Sequence, residues 1–503
     1  MTLHALSPLD GRYEKETSPL RDFFSEFAYL RSRARLELDF LAALSNLGIC
    51  PPLSGSDWQS DLPFTDEGAL KIQEYEKTTR HDVKAIEYYL REKLTERHSE
   101  RSEESPSIEH ETLRGSVSIR PEEHGATRPS SAQSDIMPYI HFGLTSEDIN
   151  NIAQALALRD SRDKVLLPSL DNLVASLRDF AKQYRALPML ARTHGQPAVP
   201  TTLGKEIAVY LARLIKCRAE IANHKFEAKL TGAVGNFNAL HSAFPNIDWM
   251  SFSKNFIENL GLEPNLVTTQ ILPYDNWIRY FQSLQLTNST LLDYAQDIWR
   301  YISDGLLKQK VVEGEVGSST MPQKVNPIDF ENAEGNLGIA NALLTHYAQK
   351  LPISRLQRDL SDSTVRRTFG VALGHTLLAW NNVTRGMSRI DADEEQIKRE
   401  LNAHWEVVSE GAQTILRAAG RSDAYESLKS QTRGRVMDRG SYQRWVEALD
   451  VDEVTRAKLM SLSPETYLGV AVQIVDNVIA SARREAISND EGIASSGRTP
   501  SSQ

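Results

Sequence analysis

The chain has 503 residues, of which 40% are hydrophobic and 25% are charged, and its formal net charge is -10. This acidic balance offers no basic footprint for nucleic acid, and no apolar stretch reaches the length of a signal peptide or a membrane span. The two cysteines, Cys50 and Cys217, give neither a disulfide framework nor a zinc site. We therefore expect a cytoplasmic globular protein of roughly two to four domains, with no nucleic-acid or membrane partner.

Helical periodicity dominates the first part of the chain. After a turn-rich start over Ser7–Tyr13, the pattern predicts an amphipathic helix over Leu20–Leu47 and another helix over Glu67–Leu94. The second helix carries the polar group TTRHDVKA, Thr78–Ala85, in which His81 on its own is better explained as a surface or capping histidine than as a site residue. Three arginines of the first helix are expected on solvated or intersubunit faces: Arg31, Arg33 and Arg35.

Residues 96–135 interrupt the helical pattern. This stretch contains nine serines, nine acidic residues and no aromatic residue, so it cannot bury enough apolar surface to offset the entropy lost on ordering. Its histidines have no ligand spacing. We predict a disordered or loosely held insertion without a catalytic role.

Regular structure resumes with YIHFGLTSEDINN, in which Thr145 and Ser146 precede two acidic residues at a helix start. The free amides of a helix start suit an anionic ligand, although simple capping explains these hydroxyls equally well. The helical pattern then continues to Tyr184, and a second polar loop follows over Ala191–Glu206, with His194 at its centre.

Long helical patterns fill the rest of the chain, and no series of short alternating strands appears. We therefore predict an all-α fold with a long central helical bundle and smaller helical domains at each end. The further predicted helices start after Pro200, cover Pro273–Pro322, Asn332–Gln349 and Ser363–Met387, and end with one that starts at Ser463. The predicted domains are 1–138, 139–388 and 389–485, followed by a disordered tail over 486–503.

The stretch Gly317–Asn332, GSSTMPQKVNPIDFEN, has the most unusual composition of the chain. It sets the hydroxyls of Ser318 and Ser319 and the cation of Lys324 among prolines. Such a loop can close over a ligand while carrying a base and a cation, although a solvated turn is as plausible on composition alone. Standard cofactor motifs such as GxGxxG, GxxxxGK[ST], HExxH and paired CxxC are missing, so we expect side-chain acid/base chemistry with no cofactor and no metal.

Taken together, these segments resemble the fumarase/aspartase superfamily over roughly Leu6–Ile479, apart from the insertion. The loop GSSTMPQKVNP carries the match to the superfamily. Six segments carry the match to its branch acting on succinylated purine nucleotides: DGRY, TTRHDVKA, HFGLTSEDINN, RTHGQPA, TTQI and SRLQRDLSDST. The resemblance implies β-elimination of fumarate from adenylosuccinate, giving AMP, and from SAICAR, giving AICAR. It also implies a homotetramer of long-helix bundles, with each active site built from three subunits.

The resemblance further implies catalytic roles. Ser318 would be the general base that removes a proton next to a carboxylate, and Lys324 would stabilise the developing charge. His194 would be the general acid that protonates the leaving nitrogen, with Glu331 orienting its imidazole. His81 would assist near the leaving group or the phosphate.

Contacts to small nucleotide substrates are implied by the same resemblance. Arg12 and Tyr13 match phosphate contacts, and arginine suits bidentate recognition of phosphate. Lys324 and Asn326 match positions that hold the succinyl carboxylates, while His141 is assigned only to the lining of the site. The remaining implied contacts are Arg80, His81, Asp82, Thr145, Ser146, Gln270, Arg358, Ser363 and Arg367.

One departure keeps an alternative open. Gln323 stands where many members of this branch have histidine, and glutamine there also occurs in argininosuccinate lyases, so the loop alone does not settle the substrate. The substrate of those enzymes has no nucleotide phosphate, and the DGRY, TTRHDVKA and SRLQRDLSDST segments argue against it. A non-catalytic protein that keeps the fold is the second alternative. The joint presence of Ser318, His194, Lys324 and Glu331 argues against that one.

Overall fold

The computed structural model describes residues 3–51, 64–103, 136–311, 314, 320–321, 323–432 and 437–482. These residues form mainly helices, with three short two-stranded sheets, which confirms the predicted all-α fold. None of the helices in these ranges combines the length and the apolar content needed to cross a membrane.

The N-terminal helices are interrupted where the sequence pattern predicted continuous ones. They are α1 (Glu14–Thr17), α2 (Arg21–Phe24), α3 (Glu26–Asn46), α4 (Asp66–Thr79) and α5 (Asp82–Glu103), with a 3-10 turn at Ser18–Leu20. Ser25 breaks the first predicted helix because its hydroxyl caps α3 by accepting from the Ala28 N–H at 3.1 Å. Arg80 breaks the second because it adopts a left-handed conformation, with φ of +53°.

Helix α5 also runs past the predicted start of the insertion at residue 96 and continues to Glu103. Glutamate and arginine are strong helix formers, so the turns after residue 96 continue the helix without an apolar pattern. The rest of the predicted insertion lies outside the described residues, as does the predicted disordered tail.

The central part of the chain contains the long helices. Its elements are α6 (Ser146–Ser161), a π-helical segment (Arg162–Leu166), α7 (Leu167–Gln183), β1 (Pro188–Thr193), β2 (Gln196–Thr202), α8 (Leu203–Asn223), β3 (Glu227–Ala228), α9 (Asn238–Ala243), α10 (Trp249–Asn259), β4 (Glu263–Pro264), α11 (Asp275–Ser303), β5 (Leu307–Gln309), α12 (Ile328–Lys350), α13 (Ser361–Arg366), α14 (Phe369–Ser388) and β6 (Ile390–Ala392). A 3-10 turn at Met137–Tyr139 precedes them.

The C-terminal part contains shorter helices. They are α15 (Glu394–Asn402), a 3-10 turn (Trp405–Val408), α16 (Ser409–Ala418), α17 (Ala424–Thr432), α18 (Arg439–Glu447), α19 (Glu453–Ser461) and α20 (471–482). The predicted start of the last helix at Ser463 is wrong. Ser463 and Thr466 close a turn through their hydroxyls at 2.9 Å, and the helix begins only at residue 471.

Helices α7, α8, α11, α12 and α14 pack together as the central bundle. Helices α8 and α11 are antiparallel, since His224 lies 3.1 Å from Asn276 at one end and Tyr301 lies 3.3 Å from Glu206 at the other. We call the end with the β1–β2 hairpin and the start of α12 the hairpin end. The opposite end, where α6, α11 and α13 start, is the far end.

Two core clusters divide the described residues. The larger one joins the N-terminal helices to the central bundle and includes residues of α20. The smaller one lies within the C-terminal helices and takes in Leu190 of β1. The domain boundaries predicted near residues 138 and 388 stay a prediction.

Two local predictions were wrong at the hairpin end. The polar loop predicted around His194 is a β-hairpin, because His194 and Gly195 both adopt positive φ, +56° and +75°, and form a two-residue turn between paired strands. The helix predicted over Pro273–Pro322 ends at Ser303, where Gly305 turns the chain with φ of +75° into β5, which pairs with β6.

Candidate active site

The predicted site residues lie at the two ends of the central bundle. At the far end, Tyr274 caps α11 and donates a hydrogen bond to Glu147 at 3.2 Å. Near the other end of the same helix, the Trp299 indole donates to Glu331 at 3.1 Å. At ~1.5 Å of rise per residue, these two positions are roughly 37 Å apart along the helix. The residues predicted for binding and those predicted for catalysis therefore do not all meet within one chain.

His81 faces Ser146 at the far end. The Ser146 hydroxyl lies 3.5 Å from His81 Nε2, and the Lys84 N–H donates to His81 Nδ1 at 3.1 Å. Because Nδ1 accepts a hydrogen bond, the proton of the neutral ring sits on Nε2, which points to Ser146. The capping role considered for His81 is confirmed, while its role toward substrate stays a prediction. Arg80, immediately before it, is exposed.

Asp82 is held by two arginines beside this pair. Its carboxylate lies 2.8 Å from Arg33 and 3.9 Å from Arg367. Burial raises the pKa of Asp82, but the charge of Arg33 and the Val83 N–H outweigh burial and lower it overall. Arg33 was predicted on a solvated or intersubunit face and is instead buried, because Asp82 and the ring of Tyr29, 3.6 Å away, enclose its guanidinium.

A buried charge network lies next to Ser146, and sequence reasoning missed most of it. Glu147 contacts Arg366 at 2.8 and 2.9 Å and Arg358 at 3.2 Å. Asp362 lies 2.9 Å from both Arg366 and the Tyr274 hydroxyl. We call these five residues the Glu147 network. Arg358 in turn donates to Gln270 at 3.3 Å, so two predicted substrate contacts meet here.

The pKa values in this network keep its charges fixed. Burial lowers the pKa of Arg366, but the charges of Glu147 and Asp362 outweigh burial and hold it well above its usual value. Burial and the neighbouring carboxylates raise the pKa of Tyr274, so its hydroxyl stays protonated and donates. Ser363 is half-buried on the same helix as Asp362 and Arg366, and its N–H donates to Leu360 O at 3.2 Å.

The start of α6 is a capping box, which confirms the capping considered for Thr145. The Thr145 N–H donates to Asp148 at 2.9 Å. Asp148 also lies 2.9 Å from the ammonium group of Lys229, and both side chains are fully buried. Asp148 further accepts from the Thr231 N–H at 3.0 Å, so this ion pair ties the Ser146 turn to the loop that follows β3. Sequence reasoning read Asp148 only as a helix-start acid and missed Lys229.

At the hairpin end, the predicted catalytic groups are open to solvent. His194 is exposed at the tip of the hairpin, and Glu331 is exposed in the first turn of α12. In the part of the chain that the structure describes, no hydrogen bond joins the two. Lys324 is exposed and Asn326 is half-buried. Ser318, the predicted base, lies outside the described residues.

Arg12 and Tyr13 lie beside the first turn of α12. They line a cavity of about 820 Å³ together with Asp329, Asn332 and Arg385. Asp329 accepts a hydrogen bond from Arg385 at 2.7 Å. The structure therefore brings the two predicted phosphate contacts together with the helix that carries Glu331.

His141, predicted only to line the site, forms a buried pair with Glu37 at a distance of 2.6 Å. Burial lowers the pKa of His141, but the hydrogen bond and charge of Glu37 outweigh burial and raise it overall. Glu37 stands between Leu36 and Leu38 on the helix α3. A carboxylate in that apolar pattern was the signal that could have predicted this pair.

Two family models match most of the chain. The family described as "Lyase" matches residues 67–340, and the one described as "Adenylosuccinate lyase C-terminal" matches residues 354–468. Among curated relatives, the adenylosuccinate lyase of Haemophilus influenzae is 42% identical over 484 residues, covering 95% of this chain and 99% of the relative. That of Escherichia coli strain K12 is 40% identical with the same coverage, and that of Dictyostelium discoideum is 41% identical, covering 93% and 97%.

Solved structures share the fold at much lower sequence identity. A fumarate lyase from Mesorhizobium sp. BNC1 gives a TM-score of 0.67 at 17% identity, covering 92% of this chain and 97% of the other. The 3-carboxy-cis,cis-muconate lactonizing enzyme from Pseudomonas putida gives 0.68 at 19% identity, covering 93% and 97%. At such identities the likeness shows the fold alone, and it agrees with the predicted architecture.

Proposed function

The chain belongs to the adenylosuccinate lyase family of the fumarase/aspartase superfamily and is a carbon–nitrogen lyase, and on that basis we propose that it cleaves adenylosuccinate to AMP and fumarate. The same elimination on SAICAR would give AICAR and fumarate. The observation that carries the proposal is the 40–42% identity to enzymes of this name over 95% of the chain. The meeting of Arg358 with Gln270, and of His81 with Ser146, supports it from the structure.

The proposed chemistry begins with removal of a proton from the carbon next to a succinyl carboxylate. Ser318 acts as the base, and the electron pair left on carbon spreads onto that carboxylate, where Lys324 stabilises the charge. The carbon–nitrogen bond then breaks, and its electron pair moves to the nitrogen. His194 supplies the proton that the nitrogen takes up. Fumarate and the amino nucleotide leave, and no cofactor takes part in this scheme.

The proposal includes a homotetramer with shared sites. The separation of roughly 37 Å between the ends of the bundle supports it, because one chain alone cannot bring His194 to the far-end contacts. Apolar side chains on three bundle helices offer a surface for other copies of the chain. These side chains are between 41% and 52% exposed: Val209 on α8, Leu286 and Trp299 on α11, and Ile339 on α12.

The first experiment follows AMP and fumarate after the purified protein is mixed with adenylosuccinate. We expect the two products in equal amounts, and the same result for AICAR and fumarate from SAICAR. Argininosuccinate and malate are the matched controls, and neither should react. Turnover of argininosuccinate, or no turnover of any substrate by a folded oligomer, would reject the proposed function.

A further inference from the structure

Glu147 occupies the centre of the far-end contacts without being a predicted substrate contact itself. Its side chain is fully buried, and its carboxylate accepts hydrogen bonds from Arg366 and Tyr274 and pairs with Arg358. It lies in the first turn of α6, directly after Ser146. A buried carboxylate with partners on three other segments fixes those segments relative to one another.

The charges of the Glu147 network balance, since two carboxylates face two guanidinium groups. Arg366, whose side chain is 1% exposed, takes both oxygens of Glu147 and also reaches Asp362. Arg358 contacts a single oxygen of Glu147, and its side chain is 15% exposed. Arg366 therefore neutralises the buried acids, while Arg358 presents the accessible positive charge of the network.

Arg358 and Gln270 are joined to each other as well as to the network. Arg358 donates to the Gln270 side chain at 3.3 Å, and that side chain donates to Ala233 O at 3.1 Å. The backbone N–H of Gln270 donates to Gln357 O at 3.3 Å. The two ligand-facing side chains thus form one unit, and Glu147 is its buried attachment.

We propose that Glu147 is a positioning residue that holds Arg358 and Gln270 in place to bind the phosphate of the nucleotide. This inference rests on the proposed function and assigns the anchor of its phosphate contact. An arginine held by a buried carboxylate loses little side-chain freedom on binding, so the cost of ordering it falls on folding rather than on binding. Removing the anchor should therefore weaken binding more than it slows the chemical step.

The test compares Glu147→Gln with Asp362→Asn. Each neutralises one carboxylate of the same network, but Asp362 pairs with Arg366 and Tyr274 and not with Arg358 within the described residues. We expect both variants to have a lower Tm. Only Glu147→Gln should raise KM for adenylosuccinate, roughly 10- to 100-fold, with kcat changed less than about threefold.

A binding measurement sharpens the assignment to phosphate. Calorimetry with AMP and with adenosine should show that Glu147→Gln weakens AMP binding and leaves adenosine binding within about threefold of wild type. Should Glu147→Gln fail to fold, Glu147→Asp keeps the charge on a shorter arm that cannot reach Arg366 and Arg358 together. Its KM should rise in the same direction by a smaller factor.

The inference is overturned if Glu147→Gln and Asp362→Asn change KM equally, because the network would then be only structural. It is also overturned if Glu147→Gln weakens AMP and adenosine alike. Failure of the proposed function would be recognised separately, since wild-type protein would then release no fumarate from adenylosuccinate.

Discussion

The two ends of the bundle differ in how their polar side chains are held. At the far end, Glu147, Arg366, Asp148 and Lys229 are at most 1% exposed, and each has a partner of opposite charge. At the hairpin end, His194, Lys324 and Glu331 are exposed. The far end is organised within one chain, whereas the hairpin end presents side chains outward. Substitutions at the far end should therefore change stability and binding, and substitutions at the hairpin end should change turnover alone.

The strongest test of this contrast is Ser318→Ala. Removing the proposed base should lower kcat roughly 1,000-fold and leave Tm unchanged, because the loop carries no buried contact that the variant would lose. The measurement is fumarate release together with thermal unfolding, and Ser319→Ala serves as the neighbouring hydroxyl control. Full turnover by Ser318→Ala would reject the base assignment.

His194→Ala extends the same experiment. It should also lose turnover without losing stability, and a mixture of the two inactive variants, unfolded and refolded together, should regain activity if sites are shared between chains. A mixture that stays inactive would count against shared sites.

The opposite prediction holds at the far end for Lys229→Met. The substitution leaves Asp148 buried without its ion pair, so the free energy of unfolding should fall by about 3–5 kcal/mol. Urea unfolding of the variant and of wild type measures the difference. A surface pair, Arg213 with Asp293, provides the control, and Arg213→Met should cost under about 1 kcal/mol. Equal losses for the two variants would contradict the contrast between buried and open regions.

A smaller, pH-dependent effect is expected for His141. Its pKa is raised in the folded protein, so its pair with Glu37 adds stability that is fully present below the unfolded pKa and is lost as pH rises through the folded one. The Tm difference between wild type and His141→Gln should therefore be largest near pH 6 and shrink toward alkaline pH. A difference that grows with pH would show that the sign is wrong.

The smallest effect is expected for Trp299→Phe at the hairpin end. The variant keeps an aromatic ring but loses the indole N–H that holds Glu331, so kcat should fall only a few-fold, by about 2- to 5-fold, with Tm unchanged. Trp249→Phe is the matched control, because its indole N–H donates at 3.0 Å to Phe244 O rather than to a predicted site residue. An equal change in kcat for both variants would reject the role of Trp299.

The sequence predicted what repeats and missed what depends on single contacts. The long helices follow a 3.6-residue apolar pattern, so α11 and α14 were located within a few residues at their starts. The breaks at Ser25 and Arg80 leave no gap in that pattern, and the hairpin at His194 is too short to show alternation.

Charged residues were the hardest to place from sequence. Arg33 and Lys229 occur in polar surroundings along the chain, where charge normally indicates a solvated face. Their partners, Asp82 and Asp148, are distant in sequence, and Glu147 and Arg366 are separated by 219 positions. Motif resemblance found Arg358 and Gln270, but only the folded chain shows that Glu147 connects them.

The β1–β2 hairpin has a mechanical consequence. Successive residues of β1 point to opposite sides, so Met189 enters the core of the bundle while Leu190 enters the core of the C-terminal helices. Arg192, closer to the tip, pairs with Glu400 of α15. The hairpin is thus a lever with its fulcrum between two cores and His194 at its tip. Any rotation of the C-terminal helices against the bundle swings that imidazole, so residues far from the chemistry set the aim of the proposed acid.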